Sequence, residues 1–543
     1  MNFGFVMDNS ACIGCHACST ACKSENQVPV GVHRTWVKYT EVGQYPDSRR
    51  SFQVTRCNHC SNPPCVRICP VSAMYQRDDG IVDFDSDACI GCKDCTQACP
   101  YDAIHIDPET HTAAKCNYCA HRTDVGLEPA CVVVCPEHAI IAGDLDDPAS
   151  EISRVIAKNN VTVRKPEQGT APKVFYIEGN EVALRPTAAP VPRNFMWADV
   201  EDDHHHIGHV GTGSGSGRAP GRAVRPHPRA NVRVPDAQGL PNTGPLNVGG
   251  RMAEHMVQVA FTARHKVQWH WQIPTYMVTK GISAGIFGLL AVATLLPPAL
   301  GNLGALIDVA DLAIPAGALG LVMLAATLFL LIIDLDRPDR FFFLLVRPQW
   351  RSWIARAAWI LSAFGAAAGL WWALEVGTSQ HWFDLPMREL RPWLAVATLP
   401  TAFLAAVYTA FLFAQAEGRD LWQSQALPIQ VTLHALMLGA GALAVFGADV
   451  TMFGVFTALS LGVTLFADLT VAQPSELARK AAHDMAWGRF ALPYWGGGIA
   501  LGHVLPLVLV AAGVPTAAFA CAALGLFGWS WALVMAPQQI SNS

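Results

Sequence analysis

The second half of the chain alternates between long apolar segments and short polar ones, beginning near residue 273. Each apolar segment runs for about 20 residues, which is enough for an α-helix to cross a hydrocarbon core of about 30 Å. Eight such segments lie near 273–297, 310–334, 353–376, 393–416, 427–447, 452–471, 489–513 and 515–536. The pattern therefore predicts an all-α polytopic membrane domain of eight transmembrane helices. The even number returns the C-terminus to the side on which the first span starts.

Before the first span the chain changes character twice. Residues up to about 190 carry nearly all of the cysteine and much of the acid, whereas residues 186–250 are rich in Pro, Gly, Ser and Arg. A composition like that of GTGSGSGRAPGRAVRPHPRANVRVP is typical of a flexible or surface-bound linker. The same stretch contains EDDHHHIGHV, for which a solvated linker is the favoured interpretation over a metal site formed by His204, His205, His206 and His209.

Composition and charge agree with a membrane protein that binds no nucleic acid. Hydrophobic residues make up 51% of the chain and charged residues only 15%, a balance that is typical of membrane proteins. The net charge of -5 is close to neutral for 543 residues and argues against a nucleic-acid partner. The N-terminal MNFGFVMDNSACIGC has neither the basic and apolar regions of a secretory signal nor a twin arginine, so we expect no export and no disulfides.

Cysteine usage is the strongest chemical feature of the sequence. All 17 cysteines except Cys521, which we interpret as a small residue of the last span, precede residue 136 and form four quartets. Quartets one and three share the spacing C-x2-C-x2-C-x3-C, and quartets two and four contain an inserted loop. Quartet one is Cys12, Cys15, Cys18 and Cys22; quartet two is Cys57, Cys60, Cys65 and Cys69; quartet three is Cys89, Cys92, Cys95 and Cys99; quartet four is Cys116, Cys119, Cys131 and Cys135.

This spacing is that of bacterial ferredoxins, in which three closely spaced thiolates hold one [4Fe–4S] cluster and the fourth reaches a second cluster. The echo of CNHC in CNYC indicates an internally duplicated α+β ferredoxin-like domain. Structural zinc is the alternative, but it usually requires two CxxC pairs, often with histidine, and accounts less well for these quartets. We therefore divide the chain into a ferredoxin-type domain at 1–185, a Pro/Gly/Arg-rich linker at 186–268 and a membrane anchor at 269–543.

The order of the quartets resembles that of the electron-transfer subunits of the dimethyl-sulfoxide reductase superfamily of molybdenum enzymes, over roughly residues 1–190. In that family quartets one and four pair, as do quartets two and three, and the presence of every cysteine implies four [4Fe–4S] clusters that pass electrons along a row. The ligand sets implied by the resemblance are Cys12, Cys15, Cys18 and Cys135; Cys116, Cys119, Cys131 and Cys22; Cys57, Cys60, Cys65 and Cys99; and Cys89, Cys92, Cys95 and Cys69.

The membrane half resembles the eight-helix anchors of the polysulfide reductase (NrfD-like) family. The matching stretches are WHWQIPTYMVTKGISAGIFGLL, IDLDRPDRFFFLLVRPQWRSWIARAAWIL, AVYTAFLFA and LWQSQALPIQ, in this order. Where the family commonly has Leu-Gly-Arg-Pro, this chain has Leu335, Asp336, Arg337 and Pro338. The family binds quinone, so the resemblance implies menaquinone or ubiquinone as redox partner, with His270 and Tyr408 contacting its headgroup and delivering protons.

Ionisable residues inside the spans support a site at the end nearest the clusters. Such residues are costly in a membrane and therefore mark function, and a quinone needs polar groups at its carbonyls. Lys280 and His434 each lie about 10 Å into a span from that side, and Asp468 lies near the same end of its span. We expect Lys280, His434 and Asp468 in the vicinity of the quinone. A polar contact between helices is an equal alternative for Lys280 and His434, and a structural hydrogen bond is favoured for His503.

Positive charge in the loops predicts the orientation in the membrane, because arginine and lysine mark the cytoplasmic face. The loops on the N-terminal side hold Arg337, Arg340, Arg347, Arg351, Arg419, Arg479, Lys480 and Arg489, whereas those on the other side hold Arg388 and Arg391. We therefore expect a multi-pass protein of the inner (cytoplasmic) membrane, with its iron–sulfur domain on the cytoplasmic face.

Together these features predict the electron-transfer and membrane-anchor subunit of a quinone-linked molybdopterin (Mo/W) oxidoreductase. Quinone chemistry would take place on this chain, while a separate molybdopterin-containing catalytic subunit acts on a substrate such as a sulfur oxyanion, formate or polysulfide. The alternative keeps the quinone and changes the partner to a multihaem cytochrome or a hydrogenase-like module. Ion translocation through Lys280, Asp468 and His503 is a further hypothesis, and a membrane-tethered redox sensor is disfavoured because sensors rarely need four clusters in series.

Overall fold

The structure, a computed structural model, describes residues 1–42, 49–179, 184–186, 247–248, 251–252, 258–263, 266–296 and 307–543. The linker predicted at 186–268 lies mostly outside these residues, and so do His204, His205, His206 and His209. All the cysteines lie inside the described ranges, where none forms a disulfide.

The N-terminal domain is an α+β structure of short elements, as the sequence predicts. Its strands, numbered along the chain, are β1 (Phe3–Asp8), β2 (Thr35–Val42), β3 (Arg49–Arg56), β4 (Met74–Gln76), β5 (Val82–Phe84), β6 (Ile104–Ile106), β7 (Ala113–Lys115), β8 (Ile140–Asp144), β9 (Val161–Thr162), β10 (Val174–Ile177), β11 (Asn247–Val248), β12 (Arg251–Met252) and β13 (Gln258–Phe261). Its helices are α1 (Ala17–Glu25), α2 (Pro64–Ile68), α3 (Asp94–Ala98), α4 (Ala120–Thr123), α5 (Ala130–Val133) and α6 (Glu151–Lys158).

A four-stranded sheet in the order β8-β1-β10-β9 joins the two ends of this domain. Strand β1 pairs antiparallel with β8 and parallel with β10. Helix α6 covers the sheet: Ser150 caps its first turn by accepting a hydrogen bond from the N–H of Ser153, and Ile152 packs against Val6, Ile141 and Ile177. The cap and the buried isoleucine together fix the helix on the sheet.

The internal duplication predicted from the quartets is visible in two similar units. In one unit the cysteine loop leads into α2 and the antiparallel hairpin β4–β5, and in the other it leads into α3 and the hairpin β6–β7. Each helix is only five residues long, so it turns the chain once between cysteines rather than building a layer of its own. The ferredoxin-like prediction is therefore confirmed.

The segment before the first span adds a strand to the iron–sulfur domain, a feature that the sequence did not reveal. Strand β13, inside the stretch assigned to the linker, pairs antiparallel with β2 and forms a sheet in the order β13-β2-β3. An exposed edge of β2 would leave backbone N–H and C=O groups unpaired, and β13 satisfies them. The chain is therefore attached to the domain once more before it enters the membrane.

Among the described residues, eight helices are long and apolar enough to cross a membrane, which confirms the predicted number. Spans one to eight are Gln272–Leu295, Val309–Ile333, Trp353–Ser379, Met387–Gln415, Leu427–Val445, Val450–Thr470, Leu492–Ala511 and Pro515–Gln538. Span seven differs from the others, because residues Leu492–Val504 form a π-helix that continues as an α-helix over Leu505–Ala511. A π-helix of this kind is rare and is found most often at functional sites.

Span one packs against span five at a very close approach of their backbones. A Cβ atom added to Gly285 would lie 1.9 Å from the carbonyl oxygen of Ala435, and one added to Gly439 would lie 2.2 Å from the carbonyl carbon of Gly285. Small residues permit such contacts between membrane helices, where van der Waals packing replaces the hydrophobic effect. Any larger residue at either glycine would separate the two spans.

The iron–sulfur domain rests on one end of the helical bundle through a polar and apolar interface. Lys93 donates to the carbonyl oxygen of Asp334 (2.6 Å) and pairs with Asp336 (3.2 Å) at the end of span two. Arg419, beyond span four, donates to Gln97 (3.0 Å). One buried cluster of side chains runs from quartets two and three into the spans. The two halves therefore share a core, which places quartets two and three against the ends of the membrane helices.

Candidate electron-transfer site

The cysteines of the four quartets meet in four groups of thiols, each built from two quartets. Cys12 interacts electrostatically with Cys15 and Cys135, and Cys18 with Cys12. Cys22 leaves its own quartet and lies beside the second group. The first group is Cys12, Cys15, Cys18 and Cys135, and the second is Cys22, Cys116, Cys119 and Cys131.

Quartets two and three exchange their last cysteines in the same way. Cys65 interacts with Cys57, Cys60 and Cys99, and Cys95 interacts with Cys69 and Cys89. The third group is Cys57, Cys60, Cys65 and Cys99, and the fourth is Cys69, Cys89, Cys92 and Cys95. These are the same sets that the family resemblance implies, and their role as ligands remains a prediction.

Left-handed backbone turns wrap the chain around the first and fourth groups. Gly14 and His16 have φ angles of 70° and 60°, and Gly91 and Lys93, at equivalent positions of quartet three, have φ angles of 67° and 68°. Glycine adopts this conformation without strain, whereas His16 and Lys93 adopt it at a cost. Because the same two positions are left-handed in both quartets, we attribute the loop conformation to the shared cysteine spacing and not to one local contact.

The chemistry of each group fits a [4Fe–4S] cluster. Burial raises the pKa of the Cys18 thiol to about 11, and burial with repulsion from neighbouring thiols raises that of Cys116 to about 12. Thiols with raised pKa values ionise readily only where positive charge lies among them, and the iron of a cluster supplies that charge. Backbone N–H groups also point at sulfur: Ala139 donates to Cys135 (3.2 Å), and Ala113 donates to Cys89 (3.4 Å). Such donors are the outer-shell partners that tune iron–sulfur clusters.

The four groups form a continuous row from the surface to the membrane. Cys18 of the first group interacts with Cys131 of the second, Cys116 of the second with Cys57 of the third, and Cys65 of the third with Cys95 of the fourth. At one end of the row Cys15 is exposed. At the other end Cys92 lines a cavity among the membrane spans. The thiol groups thus extend from an exposed cysteine to a cavity among the membrane spans.

The cavity of about 270 Å³ lies between spans one to four and the fourth group of thiols. Its walls are mostly apolar side chains such as Leu328, Leu331 and Leu412, and its lining at the iron–sulfur end includes Asp94 beside Cys92 and Asp334 just after span two. Trp269 closes that end and stacks on Trp422 with ring centroids 5.1 Å apart. The polar lining residues are Asp94, Tyr276, Asp334, Ser362 and Tyr408. An apolar slot with polar groups at one end suits a molecule with an apolar tail and a polar headgroup.

The predicted headgroup residues differ in where the structure places them. Tyr408 is buried and lines the cavity. His270, beside Trp269 at the start of span one, is exposed, and it is not among the residues that line the cavity. The sequence places both residues at the same end of the membrane, but only the packing decides that the indole of Trp269 points inward and the imidazole next to it outward. A direct contact of His270 with the headgroup therefore has less structural support than one of Tyr408.

Lys280 and His434 lie behind the cavity rather than in it. The Nζ atom of Lys280 lies 4.3 Å from the ring centroid of Tyr408 and donates to the carbonyl oxygen of Ala406 (3.1 Å). Lys280 and His434 both line a second, smaller cavity of about 20 Å³. Lys280 makes the polar contact between helices that was the equal alternative, since its ammonium group joins spans one and four and also contacts Thr409. Its place near the quinone stays a prediction.

Asp468 belongs to a polar cluster in the second half of the bundle, away from the apolar cavity. Its carboxylate accepts hydrogen bonds from Gln430 and Trp529, both at 2.9 Å. The ring of Trp529 lies 4.5 Å from that of His434, which in turn lies 5.8 Å from that of His503. His503 has the structural hydrogen bonds expected of it, to Ser460 (2.9 Å) and to the carbonyl oxygen of Gly498 (2.7 Å).

Two acidic residues of the apolar cavity were missed by the sequence analysis. Asp94 is buried, and its Oδ2 atom has no hydrogen-bond partner among the described residues. Asp334 lies 3.8 Å from the Nζ atom of Lys93. Asp94 lies inside quartet three, and Asp334 directly precedes the LDRP stretch, so each could have been noticed only as a carboxylate next to a motif. Their meeting at one cavity depends on the docking of the two domains.

Comparison with known proteins agrees with this geometry. Residues 260–540 match the family described as polysulphide reductase, NrfD, and residues 49–145 match a 4Fe-4S dicluster domain. The chain is 46% identical over 207 residues to the B component of tetrathionate reductase from Salmonella typhimurium, a match that covers 36% of this chain and 80% of that protein. It is 44% identical over 178 residues to the B component of polysulfide reductase from Wolinella succinogenes, covering 32% and 93%. The prediction of a [4Fe–4S] iron–sulfur domain is therefore confirmed.

Proposed function

Since this protein belongs to the polysulphide reductase NrfD family, whose match spans residues 260–540, we propose that it links membrane quinone to a separate catalytic subunit of a reductase complex. Its N-terminal domain is similar to iron–sulfur subunits of tetrathionate and polysulfide reductases. Four [4Fe–4S] clusters, one in each group of thiols, form the electron path. The catalytic subunit contains molybdopterin with molybdenum or tungsten.

The observation that carries this proposal is the position of the apolar cavity. Cys92 of the fourth group and Tyr408 of span four line the same cavity, so a quinone headgroup held there lies next to the last cluster. The apolar walls between spans one and four accommodate part of the quinone tail. The surrounding core, shared between the two domains, fixes the separation between cluster and headgroup.

Quinone reduction also requires protons, and the cavity contains a carboxyl group suited to supply them. Burial raises the pKa of Asp334 to about 7, although the positive charge of Lys93 opposes this shift. A carboxyl group that exchanges its proton near neutral pH is an effective general acid or base. Asp334 therefore holds or releases a proton at the cluster end of the cavity, and Tyr408 orients the headgroup.

The replacement Tyr408→Phe tests the quinone site. It removes one hydroxyl group from the cavity while keeping the ring against Lys280, so we expect quinol-driven reduction of the clusters to slow by about tenfold or more. The rate is measured by stopped-flow absorbance in anaerobic membranes with a soluble quinol analogue. His270→Ala serves as the comparison, because the exposed position of His270 predicts a smaller loss. Normal kinetics for Tyr408→Phe together with a large loss for His270→Ala would place the headgroup outside this cavity.

The exposed end of the row is the docking site that we propose for the catalytic subunit. Cys15 is exposed there, and Ile13 and Val133 beside the first group are 55% and 58% exposed. Apolar side chains at a surface are typical of a protein interface. Anaerobic co-purification identifies the partner, and a complex without pterin and without molybdenum or tungsten would reject the molybdopterin assignment in favour of a multihaem cytochrome or hydrogenase-like partner.

The iron–sulfur domain faces the cytoplasm in this proposal. The argument is the positive charge of the loops on that side, among them Arg340, which donates to the carbonyl oxygen of Cys89 (2.9 Å). Because Arg340 also serves docking, the charge bias has two causes, and the topology needs a direct measurement. If external protease digests the domain in right-side-out vesicles, the domain lies on the outer face and the proposed orientation is wrong.

Ion translocation is a second candidate function, favoured by the polar cluster between spans five and eight. Thr457, Ser460, Thr464 and Asp468 follow one another at spacings of three and four residues along span six, so they share one face. The first three are buried, and Asp468 is half-buried. His434, which lines the small cavity with Lys280, lies 3.3 Å from Thr464. Polar residues in this arrangement connect the vicinity of Tyr408 with the middle of the bilayer.

Replacing His503 by alanine tests this second function. His503 donates from Nδ1 to the carbonyl oxygen of Gly498 and pairs through Nε2 with the hydroxyl group of Ser460, so its loss breaks the polar row. We expect the number of protons moved per electron in sealed vesicles to fall by about half or more, with quinol-driven cluster reduction within about twofold of normal. His381→Ala, an exposed histidine after span three, is the matched control. An unchanged proton yield in His503→Ala would remove ion translocation from consideration.

A further inference from the structure

A buried arginine lies against the second group of thiols. Arg56, the last residue of β3, is 1% exposed and donates from Nη1 to the Sγ atom of Cys131 (3.0 Å). Its guanidinium carbon lies 4.5 Å from the ring centroid of Phe5. Its Nε and Nη2 atoms have no hydrogen-bond partner among the described residues. The guanidinium group is therefore surrounded by sulfur, by an aromatic ring and by the space beside the thiols.

The positive charge of Arg56 is balanced only by the thiols around it. Arginine remains protonated in proteins, and a buried, unpaired cation is strongly unfavourable. No carboxylate of the described ranges is paired with Arg56, whereas Cys131, Cys116 and Cys18 all interact with its charge. Two of these cysteines belong to the second group and the third belongs to the first. Arg56 is thus a fixed cation between the first two clusters and closest to the second.

The nearby Lys115 shows that not every buried cation has this role. Lys115 is also fully buried, but its Nζ atom donates to the main-chain oxygens of Val82 and Cys116 rather than to sulfur. Its hydrogen bonds hold the backbone of β5 and the start of quartet four. Arg56 differs because it donates to a cysteine sulfur, while its Nε and Nη2 atoms have no hydrogen-bond partner among the described residues.

We propose that Arg56 is a positioning residue that sets the reduction potential of the second cluster, and to a smaller extent that of the first. A cluster with four thiolates is an anion, and reduction adds another negative charge to it. A fixed cation in a poorly polarisable interior stabilises the reduced form more than the oxidised form. Charge and hydrogen bonds to sulfur are two of the features that set iron–sulfur potentials. Arg56 therefore makes the second cluster an easier site for an electron to occupy than it would be without this charge.

This inference rests on the proposed ligand assignment, and its test is a redox titration of the whole complex followed by electron paramagnetic resonance. Arg56→Gln keeps a polar side chain of similar length and removes the charge. We expect the largest change at one midpoint potential, which falls by at least about 59 mV, or tenfold in the equilibrium constant of a one-electron couple. A second midpoint potential falls by less. For the remaining clusters, the equilibrium constant of reduction stays within threefold of its normal value.

Two further variants make each outcome decisive. Arg49→Gln removes an exposed arginine from the same strand and leaves every potential unchanged, while Arg56→Lys keeps the charge and holds the potentials within threefold of normal. Full iron content and unchanged potentials in Arg56→Gln overturn the inference. Absence of [4Fe–4S] signals from the complex without any substitution overturns the proposed function instead. Arg56→Gln could itself lose iron. In that case, normal iron content and normal potentials in Arg56→Lys support the role of the charge. Loss of iron in Arg56→Lys as well would make Arg56 a packing residue and overturn the inference.

Discussion

Replacing Cys92 by serine is expected to slow electron flow between quinone and the cluster row on the order of a hundredfold. Cys92 is the one thiol of the fourth group that also lines the apolar cavity, so it lies between the last cluster and the proposed headgroup. A serine oxygen is a poorer ligand for iron than a thiolate, and the fourth cluster is lost or becomes unstable. Since the clusters act in series, the loss of one interrupts the whole path.

The measurement combines iron content, electron paramagnetic resonance and quinol-driven reduction in anaerobic membranes. The iron content of Cys92→Ser is expected to fall by about four atoms from about sixteen per chain, while the signals of the other clusters persist. Cys521→Ser is the matched control, because Cys521 lies half-buried in span eight, far along the chain from the quartets. Full iron content and normal quinol kinetics in Cys92→Ser would show that Cys92 is not a ligand.

Filling the apolar cavity is expected to have a comparable effect by a different route. Ala358 of span three lines the cavity, and a tryptophan at this position occupies much of its volume of about 270 Å³. The headgroup is then excluded or displaced, and a displacement of about 1 Å is enough to cost on the order of a hundredfold in rate. We therefore expect Ala358→Trp to lower quinol-driven cluster reduction by about a hundredfold, while reduction of the clusters by dithionite stays normal.

The position of the tryptophan, rather than its size, should decide this result. Ala366 lies eight residues further along the same helix and is exposed on the outside of the bundle. Ala366→Trp adds the same volume toward lipid, so its quinol kinetics should remain within about twofold of normal. Equal rates for the two variants, with folded protein in both, would show that quinone reaches the clusters by another route.

The features that the sequence predicts well are those written in local spacing. The eight spans follow from runs of apolar residues, and their bounds agree with the prediction to within a few residues except at span four, which begins at Met387 instead of near 393. Pro386 and the amphipathic turn after it extend that helix beyond its apolar part. The quartets follow equally from local spacing, whereas the exchange of their last cysteines, such as Cys22 joining the second group, is a contact between distant segments.

The parts that could not be predicted depend on contacts between distant segments. Strand β13 pairs with β2 across more than two hundred residues, and nothing in the composition of the linker indicates it. The cavity carboxylates Asp94 and Asp334 become neighbours only because Lys93 binds the end of span two. His270 lies on the outer side of the same turn whose Trp269 faces inward. Each of these outcomes is decided by docking and not by residue type.

The continuous core that joins quartets two and three to the membrane helices has a consequence for assembly. In a complex of separate subunits, the association of the iron–sulfur protein with its anchor would depend on concentration, and dilution in detergent would favour dissociation. Here the junction is intramolecular, so its effective concentration is fixed by the covalent connection and does not fall on dilution. Translation of one chain also produces the iron–sulfur domain and the membrane domain in a one-to-one ratio.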